Sequence, residues 1–72
     1  MKEYANNFTG IVLRAYDEWL YSRGLYGNAT DDYDRMIYTG QCQAYALIIR
    51  QATGREPHFF KSSDQLESFV NL

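Results

Sequence analysis

The longest uninterrupted helical pattern in the chain runs from Asn28 to Gly54, and it constrains the fold more than any other stretch. Asn28 or Thr30 can cap its start, because a short side-chain oxygen accepts a backbone N–H that the first turn leaves unpaired. Gly54 suits the left-handed position that ends a helix, and Pro57 prevents continuation. The pattern therefore predicts a central helix with a signal at each end.

Acidic residues crowd the predicted start of this helix. They are Asp31, Asp32 and Asp34. Acids in a first turn favour the positive end of the helix dipole, so we interpret them as dipole partners rather than as metal ligands. Asp31 also precedes Arg35 by four residues, which is the favourable orientation for an ion pair within a helix.

The central helix is apolar almost all the way round. With an advance of about 100° per residue, its first face carries Tyr33, Met36, Ile37, Gly40, Ala44, Leu47 and Ile48. A second face carries Tyr38, Cys42, Tyr45 and Ile49. A helix of this kind has to be covered on more than one side, either by both neighbouring helices or by another molecule. Gly40, with Ala44 one turn later, leaves a shallow notch that suits packing of another helix.

A first helix is predicted from about Phe8 to Arg23. Its apolar residues share one wide arc, with Leu13 at the edge: Phe8, Ile11, Val12, Ala15, Tyr16, Trp19 and Leu20. Tyr21 projects from the polar side, either as an ordinary exposed tyrosine or as a contact with a partner. Residues 24–28 predict a turn in which Gly24 ends the helix. A turn this short makes the two helices antiparallel neighbours.

The C-terminal part predicts an extended link, residues 55–61, followed by a short third helix. The link is too short to form a sheet, and we expect its two phenylalanines to pack under the hairpin. Ser62 followed by Gln65 fits a capping box, and the helix ends near Asn71. The predicted fold class is therefore all-α, an antiparallel helical hairpin with a short third C-terminal helix, in a single small helical domain over residues 1–72.

Size and composition point to exposed aromatic surface. A domain of this size buries only about 60% of its unfolded surface, yet the chain carries seven Tyr, four Phe and one Trp. These rings exceed what such a core can enclose. We therefore expect several exposed tyrosines, which are common at protein interfaces.

The charge pattern argues against direct nucleic-acid binding. The net charge is −2, and Lys2 and Lys61 are the only lysines, so no basic stripe can neutralise phosphates. A three-helix DNA-binding regulator stays open as an alternative that suits the length but not the charge. Cys42 is the single cysteine and cannot form an internal disulfide. With no signal peptide or long apolar segment, we predict a cytoplasmic protein without a membrane partner.

No residue pattern predicts catalysis, a cofactor or a metal site. A nucleophile needs a base within hydrogen-bond reach, whereas Cys42 lies mid-helix among apolar residues, where cysteine is normally an inert small hydrophobe. Zinc sites use three or four nitrogen or sulfur ligands. The chain offers at most two, because His58 is the only histidine and Cys42 the only cysteine. We therefore predict a protein that is not an enzyme.

Recognition of another protein is the remaining class of function. We place the predicted contact patch on the second face of the central helix and add one residue from the first helix. The predicted partner-binding residues are Tyr38, Tyr45, Ile49 and Tyr21. The competing account is that the C-terminal segment covers this face with Phe59, Phe60 and Phe69.

The run YTGQCQAYALII from Tyr38 to Ile49, followed by Thr53-Gly54, resembles the second helix of short helical-hairpin proteins encoded by tailed bacteriophages. The resemblance implies a phage accessory protein, a group that includes small acidic inhibitors such as anti-CRISPR proteins and host-polymerase inhibitors. These act by occluding a site on a larger host complex. It implies no particular binding residues.

Two hypotheses of function follow. The leading one is a protein-binding module, a phage-encoded inhibitor of a host protein complex that acts by steric occlusion. Its acidic residues would either mimic nucleic acid on a basic channel of the target or serve only the helix dipole and solubility. The runner-up is a structural or regulatory protein that forms a homodimer through the second face of the central helix.

Overall fold

The computed structural model describes residues 4–70, and all regular structure in that range is helical. The elements follow in the order α1 (Phe8–Asn28), α2 (Asp32–Thr53), a 3-10 turn (Pro57–Phe59) and α3 (Ser63–Val70). The helices α1 and α2 pack along each other as a hairpin, and α3 packs mainly against α1. The predicted fold class, a helical hairpin with a short third C-terminal helix, is confirmed.

The first helix is longer than its sequence pattern predicts. It begins after Asn7, whose Oδ1 accepts the N–H of Gly10 at 2.8 Å. It then continues through Gly24 to Asn28, so the predicted turn over residues 24–28 is wrong. Gly24 has no left-handed backbone here, although each helical glycine costs about 1 kcal/mol relative to alanine. Local propensity alone does not end a helix whose next turn still forms its backbone hydrogen bonds.

The connection between the two long helices consists of residues 29–31. Asp31 caps α2, because its Oδ1 accepts the N–H of Tyr33 at 3.1 Å. The predicted caps were Asn28 and Thr30, and both are wrong, since Asn28 still belongs to α1 and Thr30 precedes the cap by one residue. The hairpin therefore turns later and more tightly than the glycine positions suggest.

The ion pair at the start of α2 involves a different aspartate from the predicted one. Arg35 Nη1 lies 3.7 Å from Asp32 Oδ1, and Arg35 Nε donates to the carbonyl oxygen of Ala29 at 3.2 Å. Asp31 is engaged as the cap, so it does not pair with Arg35. Asp32 and Asp34 occupy the first turn of α2, as the dipole interpretation predicts.

The end of α2 agrees with its sequence signals. Gly54 adopts the left-handed conformation with a φ of 74°, and its N–H donates to the carbonyl oxygen of Arg50 at 2.7 Å. This is the position that glycine fills at the lowest cost. The predicted C-terminal boundary of the central helix is confirmed.

The core lies at the open end of the hairpin, where the first half of α1, the end of α2 and the C-terminal segment meet. Its buried apolar residues are Val12, Leu13, Ala15, Tyr16, Trp19, Ile49, Phe60 and Leu66. Three members of the arc predicted for the first helix, Phe8, Ile11 and Leu20, stay exposed. Within residues 20–40, Ser22 alone is buried. Among the described residues, therefore, no third layer covers the half of the hairpin next to the turn.

The link after α2, which was predicted to be extended, contains a 3-10 turn. Pro57 is buried and starts this turn, because its ring fixes φ near the helical value. Phe60 packs in the core, and its carbonyl oxygen accepts the hydroxyl of Tyr16 at 2.9 Å. Phe59 is exposed, so only one of the two phenylalanines packs under the hairpin as predicted.

The start of the third helix follows its predicted capping residues with one difference. Ser62 Oγ accepts the N–H of Gln65 at 3.2 Å. The side chain of Gln65 accepts the N–H of Lys61 at 2.8 Å rather than that of Ser62. The predicted end of this helix near Asn71 lies outside the described residues.

Candidate functional site

The predicted contact patch on the second face of α2 is not an open surface. Ile49 is 0% exposed, and Tyr38 and Tyr45 are half-buried. Tyr45 packs against the core cluster that contains Ile49 and Phe60. The side chain of Ile49 therefore cannot reach a partner while the fold is intact. Contact roles for Tyr38 and Tyr45 stay predictions.

Tyr21 is exposed, but the structure does not bring it together with the other predicted contact residues. It lies on α1 and is 66% exposed, whereas the other three lie on the inner side of α2. The structure gives no reason for these four residues to form one surface.

The first face of α2 is the open one. We call it the apolar ridge and define it by seven exposed residues: Tyr33, Met36, Ile37, Gly40, Ala44, Leu47 and Ile48. Met36 is 65% exposed, more than most apolar side chains in this fold. Single exposed apolar residues are ordinary, but a contiguous row of them marks interaction surfaces. The ridge is therefore the strongest candidate site.

The inner members of the ridge have the spacing of a helix-packing seam. Tyr33, Ile37, Gly40, Ala44 and Leu47 follow one another at intervals of 4, 3, 4 and 3 residues. Intervals of this kind keep residues in line along a helix that packs against another helix. At 1.5 Å per residue, the row is about 21 Å long. Within the described residues, no other helix of this chain covers it.

Gly40 opens a notch in the middle of the ridge. A Cβ built at this position would meet nothing within 4 Å, so packing inside the chain does not require glycine here. Glycine nevertheless costs about 1 kcal/mol of helix propensity relative to alanine. The notch predicted from the sequence is present, but it faces outward, where it permits close approach of another backbone.

A groove beside the ridge extends the apolar surface onto α1. Its volume is about 430 Å³, and it is lined by Ile11, Arg14, Ala15, Glu18, Tyr45 and Ile48. Ile48 belongs to both the ridge and the groove. The exposed Ile11 continues the apolar surface across the groove. The candidate surface therefore spans parts of both long helices.

The two ends of the ridge carry opposite charges. The start of α2 carries Asp31, Asp32 and Asp34 with one Arg35, whereas its far end carries Arg50 and Arg55 with one Glu56. The Arg50 guanidinium lies 3.4 Å from a carboxylate oxygen of Glu56, and both side chains are about half exposed. Exposed pairs of this kind stabilise little by themselves.

Burial is the main influence on the pKa values of Cys42 and Tyr4. Burial raises the pKa of the Cys42 thiol, an effect that the Arg23 guanidinium partly opposes. A raised pKa reduces the thiolate that would act as nucleophile. Burial and the hydrogen bond to Asp17 likewise raise the pKa of Tyr4 to about 12, which keeps its hydroxyl protonated as a donor. Both shifts suit structural residues.

Residues 4–70 contain neither a metal-binding cluster nor a membrane-spanning helix. In that range, no three His, Cys, Asp or Glu side chains stand close enough together to hold a metal ion. None of the described helices has the length and apolar character needed to cross a membrane. The apolar ridge is thus the feature of the described surface that most needs an explanation.

Comparison with protein-family models, curated proteins and solved structures finds no match to this chain. The resemblance to phage helical-hairpin proteins is therefore neither supported nor refuted.

Proposed function

We propose that the chain is a helical protein-interaction module without a catalytic role, and that it binds its partner through the apolar ridge. The observation that carries this proposal is the exposed row of seven apolar or small residues on α2. Leaving such a row in water forfeits about 25 cal/mol for each Å² of apolar surface that a partner would bury. A partner helix would recover that free energy.

The contact surface proposed here differs from the one predicted from sequence. The aromatic surplus and the small acidic fold still support a binding module, but the inner side of α2 is occupied by the chain itself. Within the class of binding modules, a cytoplasmic inhibitor that occludes a host complex remains a proposal supported only by the phage resemblance.

The test compares two leucines that differ in position but hardly in exposure. Leu47 on the ridge is 47% exposed, and Leu20 on α1 is 44% exposed. Tagged wild-type protein, Leu47→Arg and Leu20→Arg serve as baits in a bacterial lysate that also contains an untagged copy of the chain. We expect Leu47→Arg to lose the bound protein and Leu20→Arg to keep it, because only the first substitution places a charge in the ridge.

Circular dichroism of each bait controls for folding, since both leucines lie on helix surfaces and the helical signal should stay unchanged. Equal recovery of the same proteins by all three folded baits would show that the ridge is not the binding surface. If only Leu20→Arg lost the captured protein, the binding surface would lie on α1.

A further inference from the structure

We infer that the apolar ridge binds a second copy of this chain, so that two α2 helices pack antiparallel across a twofold axis level with residue 42. This inference rests on the proposed function, because it names the partner of the same surface. It places the two α2 helices in the middle and the two α1 helices outside. The result is a four-helix layer in which α2 is covered on both sides, as its nearly uniform apolar character requires.

The ridge of one copy is complementary in side-chain size to the ridge of a second copy that runs in the opposite direction. A twofold axis level with residue 42 pairs positions whose numbers add up to 84, so Ile37 faces Leu47 of the second copy. Gly40 then faces Ala44 of the second copy. The smallest side chains meet at the centre, where the helices cross most closely, and larger apolar side chains close the seam on both sides of them. An antiparallel pair therefore fills the notch and buries its flanks in one arrangement.

Charge distinguishes the antiparallel pair from a parallel one. In the antiparallel pair, the start of each α2, where three aspartates outnumber Arg35, lies beside the end of the other α2, where Arg50 and Arg55 outnumber Glu56. A parallel pair would place the three aspartates at residues 31–34 next to their own copies, and the arginines likewise. Like charges side by side repel, and aligned helix dipoles add to that repulsion. The charges therefore favour the antiparallel orientation.

The position of the core at one end of the hairpin is a second reason to infer that the partner is another copy of this chain. The half of the hairpin next to the turn has no third layer, whereas the open end carries the core. In the antiparallel pair, the second half of α2 from one copy covers the first half of α2 from the other. Each copy thus supplies the layer that the other lacks. A single twofold axis relates these two equivalent contacts.

The first test is the molar mass of the full chain by sedimentation equilibrium as its concentration rises. We expect the mass to approach twice the 8.4 kDa of one chain. Leu47→Arg should raise the dissociation constant about a hundredfold or more, because both copies lose an apolar contact. Leu20→Arg should leave it unchanged. Met36→Arg is the second ridge variant if Leu47→Arg loses its helical signal.

The second test determines the orientation of the pair. In a Cys42→Ala background, Ile37→Cys and Leu47→Cys chains are mixed and treated with a short thiol crosslinker. The antiparallel pair predicts mainly mixed products that join residue 37 to residue 47. Products that join 37 to 37 and 47 to 47 would indicate a parallel pair and overturn the inferred register.

A strict monomer at every concentration would overturn the inference of a second copy. If a host protein were still captured by wild type and Leu20→Arg but not by Leu47→Arg, the proposed function would stand with a different partner. A strict monomer without ridge-dependent capture would overturn both. A dimer that Leu47→Arg and Met36→Arg leave intact would place the self-contact elsewhere and also overturn the inference.

Discussion

Replacing Phe60 with alanine is expected to lower the free energy of unfolding by about 3–5 kcal/mol, because a buried aromatic ring leaves a cavity that the surroundings fill only in part. Phe60 is 3% exposed and packs edge-on against Phe69. A domain of this length has only about 4–11 kcal/mol of stability in total. Urea denaturation followed by circular dichroism should show a large fall in the midpoint, or a chain that is already unfolded.

The neighbouring phenylalanine provides a matched control. Phe59 is exposed, although its ring contacts Phe60 and lies under the Arg55 guanidinium. Phe59→Ala should cost only about 1 kcal/mol, since an exposed ring loses little by truncation. Equal effects of the two substitutions would mean that the C-terminal segment does not pack against the hairpin in this way.

Replacing Ile49 with alanine is expected to cost about 2–5 kcal/mol, because this side chain is completely buried between α1 and the C-terminal segment. The adjacent Ile48 is 38% exposed on the ridge, and its truncation should cost less than about 1 kcal/mol in the monomer. The measurement is the free energy of unfolding in urea, at protein concentrations low enough to keep the chain monomeric.

This pair also decides which face of α2 points inward. A greater loss of stability from Ile48→Ala than from Ile49→Ala would reverse the inner and outer faces of the helix. In that case, the apolar ridge would be part of the core, and the proposed binding surface would no longer be exposed.

Helical periodicity, a short connection between the first two helices and the capping residues of the third helix predicted the hairpin and the third helix. The wide arc of apolar residues that includes Trp19 identified α1, and Gly54 correctly marked the end of α2. The end of α1 could not be predicted in the same way, because Gly24 permits a turn but does not require one. Whether a helix ends at a glycine depends on the tertiary packing of the two helices, which sets where the chain reverses direction.

The candidate site was harder to predict, because two faces of α2 are apolar and the sequence does not say which one α1 covers. Residues such as Tyr45 and Leu47 are equally apolar in a periodicity analysis. The structure shows that they lie on different faces of α2, since Tyr45 packs against the core and Leu47 is exposed. The alternating intervals of 4 and 3 residues from Tyr33 to Leu47 are visible in the sequence. They indicate a packing seam but not the identity of the partner.

The ridge is proposed to serve binding rather than the stability of the single chain. Gly40→Gln tests it, because glutamine is a good helix former and a Cβ at this position meets nothing within 4 Å. Gly24→Gln is the matched control on α1, where a Cβ also meets nothing within 4 Å. Each substitution should stabilise the monomer by about 0.5–1 kcal/mol.

The decisive measurement is the self-association constant of Gly40→Gln from sedimentation equilibrium, taken together with its unfolding free energy. We expect Gly40→Gln to gain stability as a monomer and to lose self-association, because the side chain fills the notch. We expect Gly24→Gln to gain stability and to keep self-association. A Gly40→Gln chain that associates as strongly as wild type would contradict the claim that the notch receives another helix.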